Sequence, residues 1–365
     1  MAFDFLIAGG GSAGSVLAAR LSEDPQVQVC LLEAGGKGTS ILLRAPVGAV
    51  VALPGYGKLF NWAFKTVPQP GLNGRQGYQP RGRTLGGSSA INAMLYVRGH
   101  RSDYDDWAAL GCAGWTWDDC LPYFKKAENN HRGADAFHGA SGPLEVSNQT
   151  QPRPITQAFI EAASRLQHRR RSDFNDGDNE GVGLFQVTQF HSPPKNGERC
   201  SAAAGYLHPV MDRPNLTVIT KARATLVLFE GKRAVGVAYC QGRAAKHVQA
   251  RKEVILATGA LQSPQLLQLS GVGRAEDITP HGIPMVHDLP GVGQNLQDHL
   301  DFILGYKTDD TDTFGIGLRG AARLAAAIVQ WWRKGTGMIA TPFAEAAAFL
   351  KTDRALARPD VQLHF

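Results

Sequence analysis

Cysteine is scarce. The five present, Cys30, Cys112, Cys120, Cys200 and Cys240, are widely spaced, odd in number and never arranged as CxxC. That argues against a disulfide framework and a cysteine zinc site, and for a reducing compartment with buried or idle thiols. Eleven histidines are scattered without HExxH or other metal-ligand spacing, so no metal is expected. No stretch approaches the ~20 consecutive apolar residues of a spanning helix. The apolar N-terminus lacks a basic flank, is interrupted by Asp4 and is filled with glycine, which argues against a signal peptide. Charge of one sign is also thin. The net charge of +6 is partly gathered in His168-Arg169-Arg170-Arg171, which reads as a solvated basic face, and no nucleic-acid motif accompanies it.

What remains is an ordinary globular composition, 43% hydrophobic and 19% charged over 365 residues, enough for two domains. The most informative stretch is 3–36. Phe5 to Ala8 is a short apolar run, Gly9-x-Gly11-x-x-Gly14 a turn, 15–21 a small-residue helix and 27–32 a second strand, with Glu33 following Gly14 by 19 positions. The first glycine permits the tight turn, the second lets the backbone approach a pyrophosphate, and the third lets helix pack on strand. Ser12, Ala13 and Gly14 begin a helix whose free N–H groups face the phosphates, and Glu33 is placed to accept from ribose hydroxyls. The motif itself leaves FAD and NAD both open.

Residues 37–80 are rich in glycine and proline but carry Phe60, Trp62, Phe64 and Tyr78, and read as a lid over the nucleotide. Gly86-Gly87-Ser88-Ser89 is a donor-rich turn before the small-residue run 90–96, which contains Asn92 and admits a flat ring system close to the backbone. Helices are expected at 115–128, 155–166 and 201–207, with 129–154 and 172–200 irregular. Strands follow at 215–220, 224–229, 234–239 and 247–250, as a small antiparallel meander. The apolar strand 253–257 then turns through Gly259 into a helix 263–269, with Ser263 as N-cap and Pro264 at the first position. An alanine-rich helix spans 321–332, Glu345 reads as a solvated helix carboxylate, and 358–365 reads as a strand just beginning, so the chain is expected to continue.

Three stretches, the opening motif, 82–105 and 259–273, together resemble the glucose–methanol–choline oxidoreductase family. Segments 302–315 and 358–365 are similar to its bacterial choline and alcohol dehydrogenases. The resemblance implies an α/β fold: a doubly wound, Rossmann-like FAD domain with a small meander from 1–150 and 201–300, and an α+β substrate domain from 151–200 and 301–365, incomplete at the C-terminus. It implies FAD and oxidation of a primary alcohol, choline or aliphatic, with electrons passing to a quinone or other non-oxygen acceptor and with peripheral attachment at the inner face of the cell membrane. By resemblance Gly9, Gly11, Ser12, Ala13, Gly14, Glu33, Ala34 and Gly259 hold the ADP half and Ala224 meets the adenine, while Leu85, Gly86, Asn92, Ala93, Met94 and Leu95 border the isoalloxazine. Members with covalent flavin carry histidine immediately before the residue matching Asn92; Ile91 stands there instead, which implies non-covalent FAD. The family's catalytic histidine lies in a C-terminal segment that has no counterpart here. Of the histidines present, His364 resembles one lining the substrate cavity, and Asp298-His299 reads as a structural pair near the flavin. Two alternatives are an FAD-binding chain without catalysis and an NAD(P)-linked dehydrogenase.

Overall fold

The apolar run at the start of the chain forms strand β1 (Ala2–Ala8), with Leu6, Ile7 and Ala8 fully buried. Gly9, at φ +102°, turns it into helix α1 (Ser12–Leu21), and β2 (Val29–Leu32) returns parallel to it. The computed structural model describes residues 2–54, 58–308, 318–342 and 344–365. Parts of the lid segment and of segment 302–315 therefore lie outside the described residues.

The rest of this sheet arrives from far along the chain: β3 (Leu216–Ile219), β4 (Ala222–Glu230), β5 (Arg233–Gln241) and β6 (Ala244–Leu256), in the order β3-β2-β1-β6-β5-β4. β6 corrects the sequence reading. The expected strands 247–250 and 253–257 are one strand, antiparallel to β5 and parallel to β1, so the meander and the nucleotide sheet are continuous. The charged pair Arg251-Lys252 hides this continuity, because it interrupts the apolar run at a register shift, where Phe3 faces Ala250 and Phe5 faces Glu253 within one strand. Burial on both faces explains the unalternating Leu6-Ile7-Ala8 and Val29-Cys30-Leu31-Leu32.

Helix α2 (Gly259–Leu269) starts earlier than expected. Thr258 is its N-cap and Gly259 takes φ +87°, so Ser263 and Pro264 fall inside the helix, where Pro264 removes one intrahelical bond. The left-handed glycine at the strand end outweighs the Ser-Pro signal, and Ser263 Oγ lies 3.0 Å from Thr258 Oγ1.

The chain divides into two compact units: the first comprises 1–40, 51–91 and 201–306, the second 41–50, 92–200 and 307–365. The boundary expected at 150 is thereby corrected, because 92–150 pack within the second unit. Strand pairing is the reason: Leu144–Asn148 pairs with Glu128–Asn130 and with Gln186–Val187, which pairs with Leu95–Tyr96. Of these strands Leu144–Asn148 and Gln186–Val187, and also Gly181–Leu184, run through segments read as irregular.

A second sheet in that unit sets Ala346–Leu350 between Val361–His364 and Gly181–Leu184. Glu345 is therefore not a solvated helix carboxylate. It is 3% exposed and accepts from the Arg153 N–H at 2.8 Å and the Thr156 hydroxyl at 2.7 Å, satisfying the start of helix Pro154–Arg165. Arg171 likewise leaves the expected basic face: it is buried and pairs with Asp176 and Asp178.

Helix Trp117–Ala127 begins in a reciprocal capping box, the Thr116 hydroxyl accepting from the Asp119 N–H and the Asp119 carboxylate accepting from the Thr116 N–H. Thr116→Ala should cost about 1 kcal/mol, read as a lowered urea midpoint at unchanged m-value.

Candidate functional site

A cleft of about 500 Å³ opens in the first unit at the C-terminal ends of β1, β2 and β6, the position where open α/β sheets bind ligands. Its floor is the glycine turn. A Cβ on Gly9 would lie 2.5 Å from the Ala257 carbonyl oxygen, and one on Gly14 would collide with the Gly9 carbonyl, so both glycines are required by packing. Gly11 differs: a Cβ there would meet nothing closer than 3.9 Å, so its small size keeps backbone accessible in the cleft. No side chain caps α1, leaving its first N–H groups for an anion.

A second glycine loop completes the floor. The Gly86 N–H donates to the Gly10 carbonyl at 2.8 Å, and a Cβ on Gly87, at φ +53°, would come within 2.7 Å of Gly11 Cα. Glu33, 6% exposed, accepts from the Gly10 N–H at 2.9 Å through Oε2 and from the Gly35 N–H at 2.7 Å through Oε1. Burial pushes its carboxyl up to about 7, against the pull of the Gly35 and Gly10 N–H groups and of Arg83. Each carboxylate oxygen keeps a lone pair for a hydroxyl donor. An apposed pair of glycine loops, an uncapped helix start and a buried acceptor suit a dinucleotide, with phosphate at the helix and ribose at Glu33.

The sequence matches the GMC oxidoreductase family model over residues 3–301. It is 45% identical, across its whole length, to an alcohol dehydrogenase (acceptor) of Pseudomonas putida, covering 65% of that protein. An oxygen-dependent choline dehydrogenase of Paraburkholderia phytofirmans is also 45% identical, with 64% of its length covered. The chain thus spans just under two thirds of the curated relatives it matches. Among solved structures, an FAD-dependent oxidoreductase from Chaetomium thermophilum superposes with TM-score 0.84 at 31% identity, over 95% of this chain and 62% of that one. Pyridoxine 4-oxidase from Mesorbium loti gives TM-score 0.74 at 36% identity, over 79% of this chain and 55% of that one. The chain belongs to the GMC oxidoreductase family.

GMC oxidoreductases are FAD flavoproteins, so FAD and not NAD is the cofactor. Of the residues named from sequence, Gly9, Gly11, Ser12, Ala13, Glu33, Ala34, Ala224 and Gly259 all line the cleft, and Gly14 packs beneath it. Leu85 does not line it: its side chain is fully buried with Ile7, Ala18 and Leu31. Gly86 shapes the turn, while its neighbours Gly87 and Ser88 face the cleft. Sequence reading missed Arg81, Arg223 and Thr258, which also line it; Arg223, beside Ala224, was legible as a cation next to a named contact.

Asn92, Ala93, Met94 and Leu95 belong to the second unit. The Asn92 side-chain oxygen accepts from the Met94 N–H at 3.0 Å and from Arg199 Nη1 at 2.8 Å, holding Met94 at φ +61°. Arg199 is buried, which lowers its pKa to about 10, and its Nε donates to the Leu43 carbonyl at 3.1 Å. Nothing local in the sequence marks it, because its partners lie far away along the chain. His364 stands opposite Ala347 in strand pairing and stacks on Phe185 with ring centroids 5.7 Å apart. Asp298 and His299, read as a structural pair near the flavin, are both exposed, and the Asp298 carboxylate accepts the His299 backbone N–H at 3.0 Å. The described cysteines are all free, and no group of ligands able to hold a metal occurs among the described residues.

Proposed function

We propose that the chain binds FAD without a covalent bond and serves the oxidation of a primary alcohol, choline or an aliphatic alcohol, to its aldehyde, with electrons leaving to a quinone or another non-oxygen acceptor. The observation carrying this reading is the cleft of two apposed glycine loops with Glu33 buried in its wall, in a chain 45% identical to an alcohol dehydrogenase (acceptor) and to a choline dehydrogenase. FAD, when bound, supplies the acceptor for the hydride leaving the alcohol carbon.

The chain's own residues bind and orient. The start of α1 and the backbone at Gly11 hold the pyrophosphate, Glu33 takes ribose hydroxyls, and backbone at Ala224 meets the adenine. Asn92, Ala93, Met94 and Leu95 border the isoalloxazine, their turn held by Arg199. Ile91 is an aliphatic residue with no atom able to bond the flavin. Alcohol oxidation also needs a base to take the hydroxyl proton, and among the described residues no histidine lines the cleft. That favours a second reading, in which this chain binds FAD without itself catalysing the oxidation.

Acid precipitation of the purified protein should release all its yellow colour to the supernatant; flavin kept in the pellet would overturn the non-covalent assignment. Dye reduction with choline and with a series of alkanols then separates the readings. Turnover supports the oxidoreductase, bound FAD without turnover supports the second reading, and a protein without flavin absorbance defeats both.

A further inference from the structure

The second unit holds an open cavity of about 540 Å³ that neither the cofactor nor the proposed oxidation uses. Its apolar floor is Ile160, from helix Pro154–Arg165, and Leu184, from strand Gly181–Leu184. Its rim is cationic. Segment 169–171 runs beside that strand, the Arg171 N–H donating to the Val182 carbonyl and the Val182 N–H to the Arg169 carbonyl, each at 2.8 Å. Successive side chains of an extended segment alternate in direction. Arg169 Nη1 and Arg171 Nη1 accordingly share the Asp178 carboxylate, at 2.9 and 3.0 Å. Arg170, between them, is exposed, lines the cavity and has no side-chain partner among the described residues. Arg132 brings a second guanidinium: its Nε donates to the Asn148 side-chain oxygen at 2.8 Å, while Nη1 stands 3.9 Å from Asp173, beyond hydrogen-bond reach. Asp173 is itself engaged by His138 at 2.8 Å. The Asn148 oxygen also accepts from Gln186 at 3.1 Å, so the NH₂ is the uncommitted end of its amide. No acidic side chain lines the cavity among the described residues.

We propose that this cavity binds a phosphorylated small molecule, a phosphate monoester of about the size of a sugar. Guanidinium forks match phosphate oxygens in pairs, and two of them with no competing carboxylate select an anion rich in acceptor oxygens. The size argues for more than a bare ion, since cavities of roughly 300–1,000 Å³ hold whole small ligands. The remaining lining suits a polyol: Gln157 and Ser172 have side chains able to bond hydroxyls, and Ile160 and Leu184 offer a floor for the carbon skeleton. A merely solvated basic face would be convex and balanced by nearby acids. Arg169 and Arg171 fit that description through Asp178, and Arg170 does not. The proposal involves no flavin and stands whichever alcohol, if any, is oxidised.

Titration calorimetry in saturating FAD, which keeps phosphate probes off the glycine loops, tests it with fructose 6-phosphate, fructose and inorganic phosphate at one ionic strength. Fructose 6-phosphate should bind at a single site, more tightly than inorganic phosphate, and fructose should give no saturable heat. Arg170→Gln should weaken the ester roughly 10-fold, and Arg132→Gln with Arg170→Gln roughly 100-fold, by loss of charge-assisted hydrogen bonds. Arg170→Lys should fall between wild type and Arg170→Gln, because the charge stays and the fork is lost. Arg170→Gln should keep the wild-type urea midpoint, since that side chain holds nothing else in place. No binding of fructose 6-phosphate, equal affinity for fructose, or wild-type affinity in the double variant would overturn the proposal. Inorganic phosphate binding as tightly as the ester would make this a bare-anion site and overturn it too.

Discussion

Glu33→Ala should yield a colourless protein that is also about 2–4 kcal/mol less stable in its first unit. The carboxylate does two jobs. It receives the Gly10 and Gly35 N–H groups within the turn, and removing it leaves two buried donors without partners, each costing about 1–3 kcal/mol. It is also the acceptor available to a ribose, so FAD loses its anchor as the turn loosens. Glu33→Gln separates these effects, because the amide oxygen keeps one acceptor while its NH₂ opposes the other N–H. The pH dependence has a definite sign. The folded carboxyl is raised to about 7 from 4.5, so its contribution to the FAD-free protein is present below pH 4.5 and is lost as pH rises through about 7. FAD affinity should move the other way over this window, since ribose hydroxyls donate best to the ionised form. Thermal unfolding of FAD-free protein at pH 5 and 8, with flavin fluorescence titration, measures both slopes. Full FAD content and an unchanged Tm in Glu33→Ala would sink this account.

That site was legible from sequence because its physics is local. Within 34 residues the strand, the glycine turn, the helix start and the acceptor each fix the conformation of a neighbour, and the structure brings Gly9, Gly11 and Glu33 to one cleft. The hairpin between β4 and β5 was legible for the same reason, as a period-two pattern around Glu230-Gly231. What escaped was long-range pairing. Glu345 resembles any polar residue before an alanine run until Arg153 and Thr156, nearly two hundred positions earlier, bring their donors to it. Arg199 acquires a role only through Asn92 and Leu43. The 92–150 segment looks like an extension of the nucleotide motif in one dimension, yet its strands pair with residues 186–187 and so belong to the second unit. Leu85 was assigned to the cofactor by its place in a motif, whereas its burial against Ile7 and Leu31 makes it core. Motif membership gives no side-chain direction, and the cleft is lined two and three positions further on, by Gly87 and Ser88.

The second unit carries the other large effect. Arg98 and Glu128, 2% and 0% exposed, meet at 3.0 Å, and the same carboxylate oxygen receives the Gly139 N–H at 2.9 Å and faces His138 Nδ1 at 3.0 Å. His138 Nε2 lies 2.8 Å from Asp173. Arg98 also donates to the Phe137 and Asn175 carbonyls, so the cluster joins the helix-following strand Glu128–Asn130 to loops that local sequence leaves unspecified. Burial opposes a charge on His138, but the hydrogen bonds to Asp173 and Glu128 outweigh it and lift its pKa to about 9. Because this lies above the unfolded value of 6.5, the stabilisation is fully present below pH 6.5 and is lost as pH rises through about 9. It amounts to about 3 kcal/mol. Glu128→Leu leaves a buried guanidinium and imidazolium without their shared anion, and should cost about 3–5 kcal/mol, more than any surface ion pair. His138→Leu should cost less and flatten stability between pH 6.5 and 9, because the titrating group is gone while Arg98 still neutralises Glu128. Urea midpoints across that range test both. If His138→Leu keeps the wild-type pH slope, another group titrates and the charged cluster is not what holds this unit together; if Glu128→Leu unfolds at the wild-type midpoint, the buried pair is dispensable.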